Sequence, residues 1–304
     1  MAGLASSGQE PTEWDSCWDY SVLNRCAADL SLAWMKFAIC NEIFQGWKLE
    51  DTLAHAARLG YAGVEIAPFT LADSVTDISA GERQKIRDAA ARSQIEIVGI
   101  HWVLVKPEGL HINHPERSLR ERTAQYFCDL VDFCADLGGN VMVVGSPKQR
   151  NLLPGVSRAQ AWDWAGATFR AAVARAGQRG VIICFEPLAP AETNFINTAA
   201  EALEFVQQMA SPHFRIVLDV KAMCLESKPI PAIIRESWPH FAHFHANDRN
   251  LKGPGFGDVD FKPIAAALKE VGYDGFVSVE VFKFEEGAEV IAAKSIEHLR
   301  RAFA

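Results

Sequence analysis

The sequence predicts a single (β/α)8 TIM barrel. Three observations carry that reading. Eight short, β-branched runs recur along the chain, with helix-patterned stretches of i, i+3, i+4 periodicity between them. The runs are nearly continuously apolar rather than alternating, as parallel strands buried on both faces must be. The 304 residues suit one barrel of about 250 residues plus insertions.

The elements follow in order. The first strand is MKFAIC (35–40), and LEDTLAHAARLG (49–60) is its helix. GVEIA (63–67) and IEIVGIHW (95–102) are the second and third strands, the latter followed by the helix at 117–138. VMVVG (141–145) precedes a helix at 162–180, and VIICFE (181–186) one at 199–210. RIVLD (215–219), FAHFH (241–245) and FVSVEVF (276–282) complete the eight strands. Gly60, Gly138, Gly180 and Gly272 each stand shortly before a strand, where a left-handed glycine stops a helix. No linker divides the chain: residues 1–30 form a polar, Trp-bearing extension, and 31–304 form one catalytic domain. Between His243 and Asp260 runs a long connection holding Gly253, Gly255 and Gly257, and such loops at strand ends often carry function.

Composition narrows the function. Apolar residues make up 49% and charged residues 22%, enough for a full core. The net charge of −8 disfavours nucleic acid and anionic membranes and points to a small-molecule substrate. No run reaches the roughly 18 apolar residues of a membrane span, and the N-terminus lacks the basic and apolar regions of a secretory signal. The seven cysteines are odd in number and form no CxxC, so they read as reduced apolar fillers in a cytoplasmic protein.

Four consecutive strands end in metal-capable side chains: Glu186, Asp219, His245 and Glu280, at spacings of 33, 26 and 35 residues. The C-terminal strand ends of a barrel face its active site, so the four converge. Each alone has a structural reading. Glu186 could pair with a barrel lysine or arginine, and Asp219 could cap the next helix. His245 could be a bonded core histidine, and Glu280 a solvated strand end. Together, three buried carboxylates repel one another until a divalent cation neutralises them. Three oxygens and an imidazole suit Mn²⁺ first, and also Mg²⁺, Co²⁺ or Zn²⁺.

These residues resemble the xylose-isomerase-like barrel superfamily, in particular its sugar isomerase/epimerase branch. The resemblance runs from about Met35 onward through GYAGVEIAPF (60–69), GIHWVL (99–104), ICFEPL (183–188), VLDVKAM (217–223), HFHANDRN (243–250), GFGDVDF (255–261) and GFVSVEVF (275–282). It implies that Glu186, Asp219, His245 and Glu280 hold the metal. It further implies that Glu186 and Glu280 exchange a proton with carbon from opposite faces of the sugar. Glu192 matches a glutamate that contacts substrate oxygen, and Trp102 an aromatic wall of the pocket. Two positions depart from the ketose epimerases: Ala222 replaces a histidine and Leu251 an arginine, both of which grip substrate hydroxyls in that branch. Lys221, Lys252 or Asn247 would do comparable work on a different ligand, which argues against a simple free ketose.

The expected activity is a metal-dependent sugar isomerase or epimerase that removes an α-proton and passes through a metal-stabilised enediolate, with Glu186 and Glu280 as the acid/base pair. His101 is a further substrate-side candidate. Glu65 reads either as a substrate ligand or as half of a buried pair with lysine or arginine. Lys148 reads as a solvated loop residue, with reach to a phosphate or carboxylate as the alternative; Asn247, Asp248 and Arg249 read also as fixing the loop after His245 and the geometry around the ligands, and Trp162 and Trp164 as packing or subunit contact. A lyase on a keto-inositol or 3-keto-glycoside would use the same site. A multi-zinc phosphodiesterase would need more histidines and a basic groove. A non-catalytic binding or structural barrel would be favoured if the four ligand positions did not meet or held no metal. A homo-oligomer is compatible with the sequence.

Overall fold

A computed structural model describes residues 35–304; the expected extension at 1–30 lies outside the described residues. The strands are β1 Lys36–Cys40, β2 Gly63–Ile66, β3 Glu96–Ile100, β4 Val141–Val144, β5 Ile182–Phe185, β6 Phe214–Asp219, β7 Phe241–Ala246 and β8 Phe276–Val279. All neighbours pair in parallel, in sequence order, and β8 returns to β1 through Lys36↔Phe276 and Ile39↔Val279. The predicted barrel is thus the observed one. Several strands are shorter than their apolar runs, because pairing stops where the chain turns away from the barrel. Glu186 and Glu280 therefore stand one residue past β5 and β8 rather than within them.

Among the described residues the helices are α1 Leu49–Leu59, α2 Ala80–Arg92, α3 Arg117–Asp136, α4 Arg158–Arg179 and α5 Ala199–Gln207. The short α6 Val220–Met223 follows, then α7 Ile230–Ser237, α8 Phe261–Glu270 and α9 Ala288–Phe303. The fourth begins four residues earlier than its apolar pattern suggests. Ser157 caps it, accepting from Gln160 N at 3.2 Å while the Gln160 side chain accepts from Ser157 N at 3.0 Å. Gly60 and Gly180 end α1 and α4 at φ of 88° and 69°, the stop expected of them.

Side-chain parity explains how the barrel aims its site. Alternate strand residues face opposite sides of the sheet. Val141, Val143, Cys184 and Val217 belong to one small apolar cluster, whereas Met142, Val144, Ile183 and Leu218 belong to the larger core with the helices. Glu186 and Asp219 stand two residues beyond Cys184 and Val217, and therefore point where those point. Strands β3 and β4 approach closely at Gly99, where a Cβ would lie 1.9 Å from the Val141 carbonyl oxygen.

Candidate metal centre

The four strand-end residues converge. Glu186, Asp219, His245 and Glu280 each offer a ligand atom within 4.8 Å of all the others, and all four are buried. The chain makes room for this. At Gly145 a Cβ would fall 1.8 Å from Glu186 Oε2, so any side chain there would displace the carboxylate. Arg150, fully buried, donates from Nη1 to the Glu186 carbonyl at 2.5 Å and from Nη2 to the Val144 carbonyl at 2.6 Å. Its guanidinium lies 4.4 Å from the Phe185 ring centre, which fixes the backbone on which Glu186 is mounted.

Asp219 performs two tasks. Its Oδ1 accepts from Ala222 N at 2.9 Å, capping α6, and its Oδ2 accepts from Asn247 Nδ2 at 2.6 Å. The capping reading and the convergent reading are both true of it. Glu280 Oε1 accepts from Trp102 Nε1 at 2.9 Å. Its Oε2 lies 3.0 Å from His245 Nδ1, yet neither atom makes a hydrogen bond. On its far side His245 Nε2 faces Glu65 Oε2 at 3.3 Å. With a cation bound, a hydrogen on Nε2 shared with Glu65 would leave the Nδ1 lone pair free for the metal, the way a carboxylate orients a metal-bound histidine.

The charges do not balance within this cluster. Two carboxylates about 4 Å apart repel by about 4 kcal/mol at an effective dielectric near 20. Burial, reinforced by Glu280, pushes Glu186 up to about 8. Burial and Glu280 also raise Asp219, although Lys221 opposes them. For Glu280 burial is overcome by His245, which holds it down to about 2. Buried His245 Nδ1 and Glu280 Oε2 lack partners, and three carboxylates share one imidazole. A hard divalent cation fits that donor set.

Three other groups among the described residues bring metal-capable atoms together, and direct carboxylate–imidazole bonds already join their members, although Glu42 Oε1 and His101 Nδ1 stay without partners. Glu65 Oε1 pairs with His243 Nε2 at 2.6 Å while its Oε2 meets His245. His101 Nε2 pairs with Glu42 Oε2 at 2.6 Å. Glu65 was expected to pair with lysine or arginine or to meet substrate. It binds two histidines instead, because β2 and β7 both send side chains to the barrel axis.

Glu192, Lys221 and Trp102 line a narrow cavity of about 20 Å³ with Glu186 and Glu280. Lys221 Nζ lies 3.2 Å from Glu192 Oε1 and 3.9 Å from Asp219 Oδ1. Burial opposes its charge, but Asp219 and Glu186 hold its ammonium above the ordinary lysine value. His101 and Asn247, expected against substrate, are fully buried and do not line that cavity. Asn247 braces Asp219 and accepts from Lys221 N at 2.7 Å. Lys148 is exposed. Asp248 fixes the glycine-rich loop by accepting from Val259 N at 3.0 Å, and Arg249 donates to the Cys224 carbonyl at 3.0 Å. Trp162 packs on Phe205 at 5.2 Å, and Trp164 lies under Arg120 at 4.6 Å. Sequence reasoning missed Arg150, Glu42 and His243. His243 was within reach, since it shares the parity of His245. Nothing in SPKQR distinguished Arg150 from Lys148.

Comparison with known proteins agrees with the fold. Residues 53–302 match the model of the xylose isomerase-like TIM barrel. The chain is 26% identical over 249 residues to the L-ribulose 3-epimerase of Mesorhizobium japonicum, covering 82% of this chain and 80% of that one. It is 27% identical over 176 residues to a D-psicose 3-epimerase of Ruminiclostridium cellulolyticum, covering 57% of this chain and 59% of that protein, under two thirds of its length. In fold it resembles the D-psicose 3-epimerase of Clostridium cellulolyticum solved with D-tagatose, at a TM-score of 0.79, 21% identity, 88% of this chain and 99% of that one.

Proposed function

The chain belongs to the xylose isomerase-like TIM barrel family, and on that premise we propose that it is a divalent-metal-dependent sugar isomerase or epimerase that abstracts an α-proton. The observation that carries the proposal is the convergence of Glu186, Asp219, His245 and Glu280 within 4.8 Å. These four would hold the cation, Mn²⁺ first among Mg²⁺, Co²⁺ and Zn²⁺. Bound there, a divalent cation supplies Lewis-acid charge where negative charge develops on the sugar's oxygens.

The residues divide the remaining work. Glu280, held ionised by His245 and Trp102, takes the proton from the carbon beside the carbonyl. Glu186, on the other side of the cluster, returns a proton from the opposite face, as the resemblance to the epimerase branch implies. Lys221 and Glu192 bind substrate oxygens, and Trp102 walls the ring. Arg150, Asn247 and Glu65 position the ligands. Return of the proton to the same carbon gives epimerisation, and to the neighbouring carbon gives isomerisation.

One observation favours a second reading, a lyase on a keto-inositol or 3-keto-glycoside. Ala222 is buried in α6 and Leu251 is surface-exposed, at the positions where the resembled epimerases grip hydroxyls. The substrate is a small sugar or sugar derivative rather than nucleic acid, and the setting cytoplasmic. No helix among the described residues is long and apolar enough to cross a membrane. The protein divides into an extension at 1–30 and a catalytic barrel at 31–304, which we propose assembles as a homo-oligomer.

Incubation with Mn²⁺ in deuterated water with a panel of ketoses, keto-inositols and 3-keto-glycosides tests the activity. Gain of deuterium with an isomeric product is expected, slowed by about 10²- to 10⁴-fold in Glu280→Gln. Exchange with loss of water or aglycone selects the lyase. A Glu280→Gln protein exchanging at the parent rate removes Glu280 from the chemistry.

A further inference from the structure

Among the described residues, Lys221 is the one lysine or arginine that lines the narrow cavity with Glu186 and Glu280. The residue is 4% exposed, and its place is set from both ends. At the backbone its N–H donates to Asn247 Oδ1 at 2.7 Å. At the tip, Nζ donates to Glu192 Oε1 at 3.2 Å and Oε2 at 3.4 Å, and lies 4.4 Å from the centre of the Phe282 ring. A buried ammonium without such partners would be strongly disfavoured.

Its relation to the strand-end cluster is different. Nζ approaches Asp219 Oδ1 to 3.9 Å, beyond hydrogen-bond reach. Both Asp219 oxygens already accept bonds, from Ala222 N and Asn247 Nδ2. Lys221 therefore acts on Asp219 through space, and takes no ligand's place. Burial opposes its charge, and Asp219, Glu186, Glu280 and Glu192 outweigh burial, so the group stays an ammonium. Arg150, the other buried cation beside Glu186, is engaged by the Glu186 and Val144 carbonyls instead. Any divalent cation held by Asp219 is thus brought close to a fixed like charge, and in a site poor in water that repulsion is strong.

We propose that Lys221 is a built-in electrostatic brake on metal binding: its positive charge, tethered by Glu192, lowers the affinity of Glu186, Asp219, His245 and Glu280 for a divalent cation and keeps the bound ion exchangeable. This rests on the reading of those four residues as ligands and adds how their affinity is set. Glu192 is the outer half of the device. Its side chain is 31% exposed, whereas that of Asp219 is fully buried, so it holds the ammonium on the outer side of the cluster.

The test is Mn²⁺ affinity by competition calorimetry, with chelator-driven Mn²⁺ release by stopped flow, on the full-length protein at a single pH. Lys221→Met keeps the length of the side chain and removes its charge. It should bind Mn²⁺ at least about tenfold more tightly than the parent and release it correspondingly more slowly. Lys221→Gln should do the same, and Lys221→Arg should stay within about threefold of the parent. Glu192→Gln should act the other way and weaken binding about threefold. A merely structural Lys221 would weaken metal binding when lost, which is the opposite sign. Mn²⁺ should also raise the unfolding temperature of Lys221→Met by more than it raises the parent's. A folded neutral variant that binds Mn²⁺ as the parent does, or more weakly, overturns the proposal and leaves the metal centre standing, and so does tighter binding by Glu192→Gln. A parent that binds no Mn²⁺ overturns the proposal and the metal reading together. Tighter binding by the neutral variants, without proton exchange by the parent on any sugar, upholds the brake and removes the epimerase reading.

Discussion

The strand-end cluster of Glu186, Asp219, His245 and Glu280 and the neighbouring network of Glu65, His243, His101 and Glu42 are built from the same two kinds of side chain. They solve burial differently. Glu65 spends both oxygens on imidazoles, at 2.6 Å and 3.3 Å, and burial is overcome so completely that its carboxyl lies well below the ordinary range. Glu186 finds no such partner, and burial with Glu280 lifts it to about 8. Glu65 has its counter-charge supplied by the protein's own side chains, whereas the strand-end cluster is complete only when a cation arrives. Buried carboxylates thus divide into structural and functional by whether the protein supplies their counter-charge.

The largest expected effect breaks the finished region. Glu65→Gln should lower unfolding free energy by about 3–5 kcal/mol, because it leaves His243 and His245 buried without their carboxylate. Urea denaturation checks this, and a loss below about 1 kcal/mol would mean that Glu65 is not structural.

Next is the opposite substitution in the unfinished region. A folded-state value raised above the unfolded one means that native protein binds extra protons between the ordinary carboxylate range and about 8 for Glu186. Stability of the metal-free protein therefore falls as pH rises through that window. Glu186→Gln should remove this fall and stabilise the metal-free protein by about 2 kcal/mol at pH near 8, with no gain near pH 4.5. Destabilisation at both pH values would place Glu186 with Glu65.

The smallest effect sharpens the contrast. A cation displaces the Glu186 proton, so Mn²⁺ affinity should rise about tenfold per pH unit below about 8 and level off above it. Calorimetry in buffers of different ionisation enthalpy would count the proton released. A flat profile from pH 6.5 to 8.5 would mean that Glu186 is not a ligand.

The barrel and its four strand-end residues were legible because each rests on a local pattern repeated eight times, and because parallel strands bury both faces. The ends FE, LD, HFH and VE broke that apolar pattern where a barrel faces its site. The network was harder to see. Glu65 looked identical in kind to Glu186, and only folding brings it to His243, 178 positions away. Glu42 stands two residues past the first strand, in NEI after the apolar run, whereas Glu186 directly follows the fifth, so Glu42 read as part of a loop. Arg150 carries no sequence mark of burial, since arginine is usually a surface residue. Its environment arises from a loop that folds back across β4 and β5. Asn247 was read both as a substrate contact and as fixing the geometry around His245, and it braces Asp219; His101, read as a substrate-side residue, bonds Glu42.

The closed strand order has a consequence for synthesis. The chain emerges from its N-terminus, and loops spanning many residues close late. Glu65 is translated long before His243 and His245, and Trp102 is 178 positions ahead of the Glu280 to which it donates. A growing polypeptide therefore carries Glu65 without its two histidines until β7 has been made. Loading with metal becomes a terminal event of biogenesis: the coordination sphere does not exist on the ribosome until β8 has emerged and closed against β1.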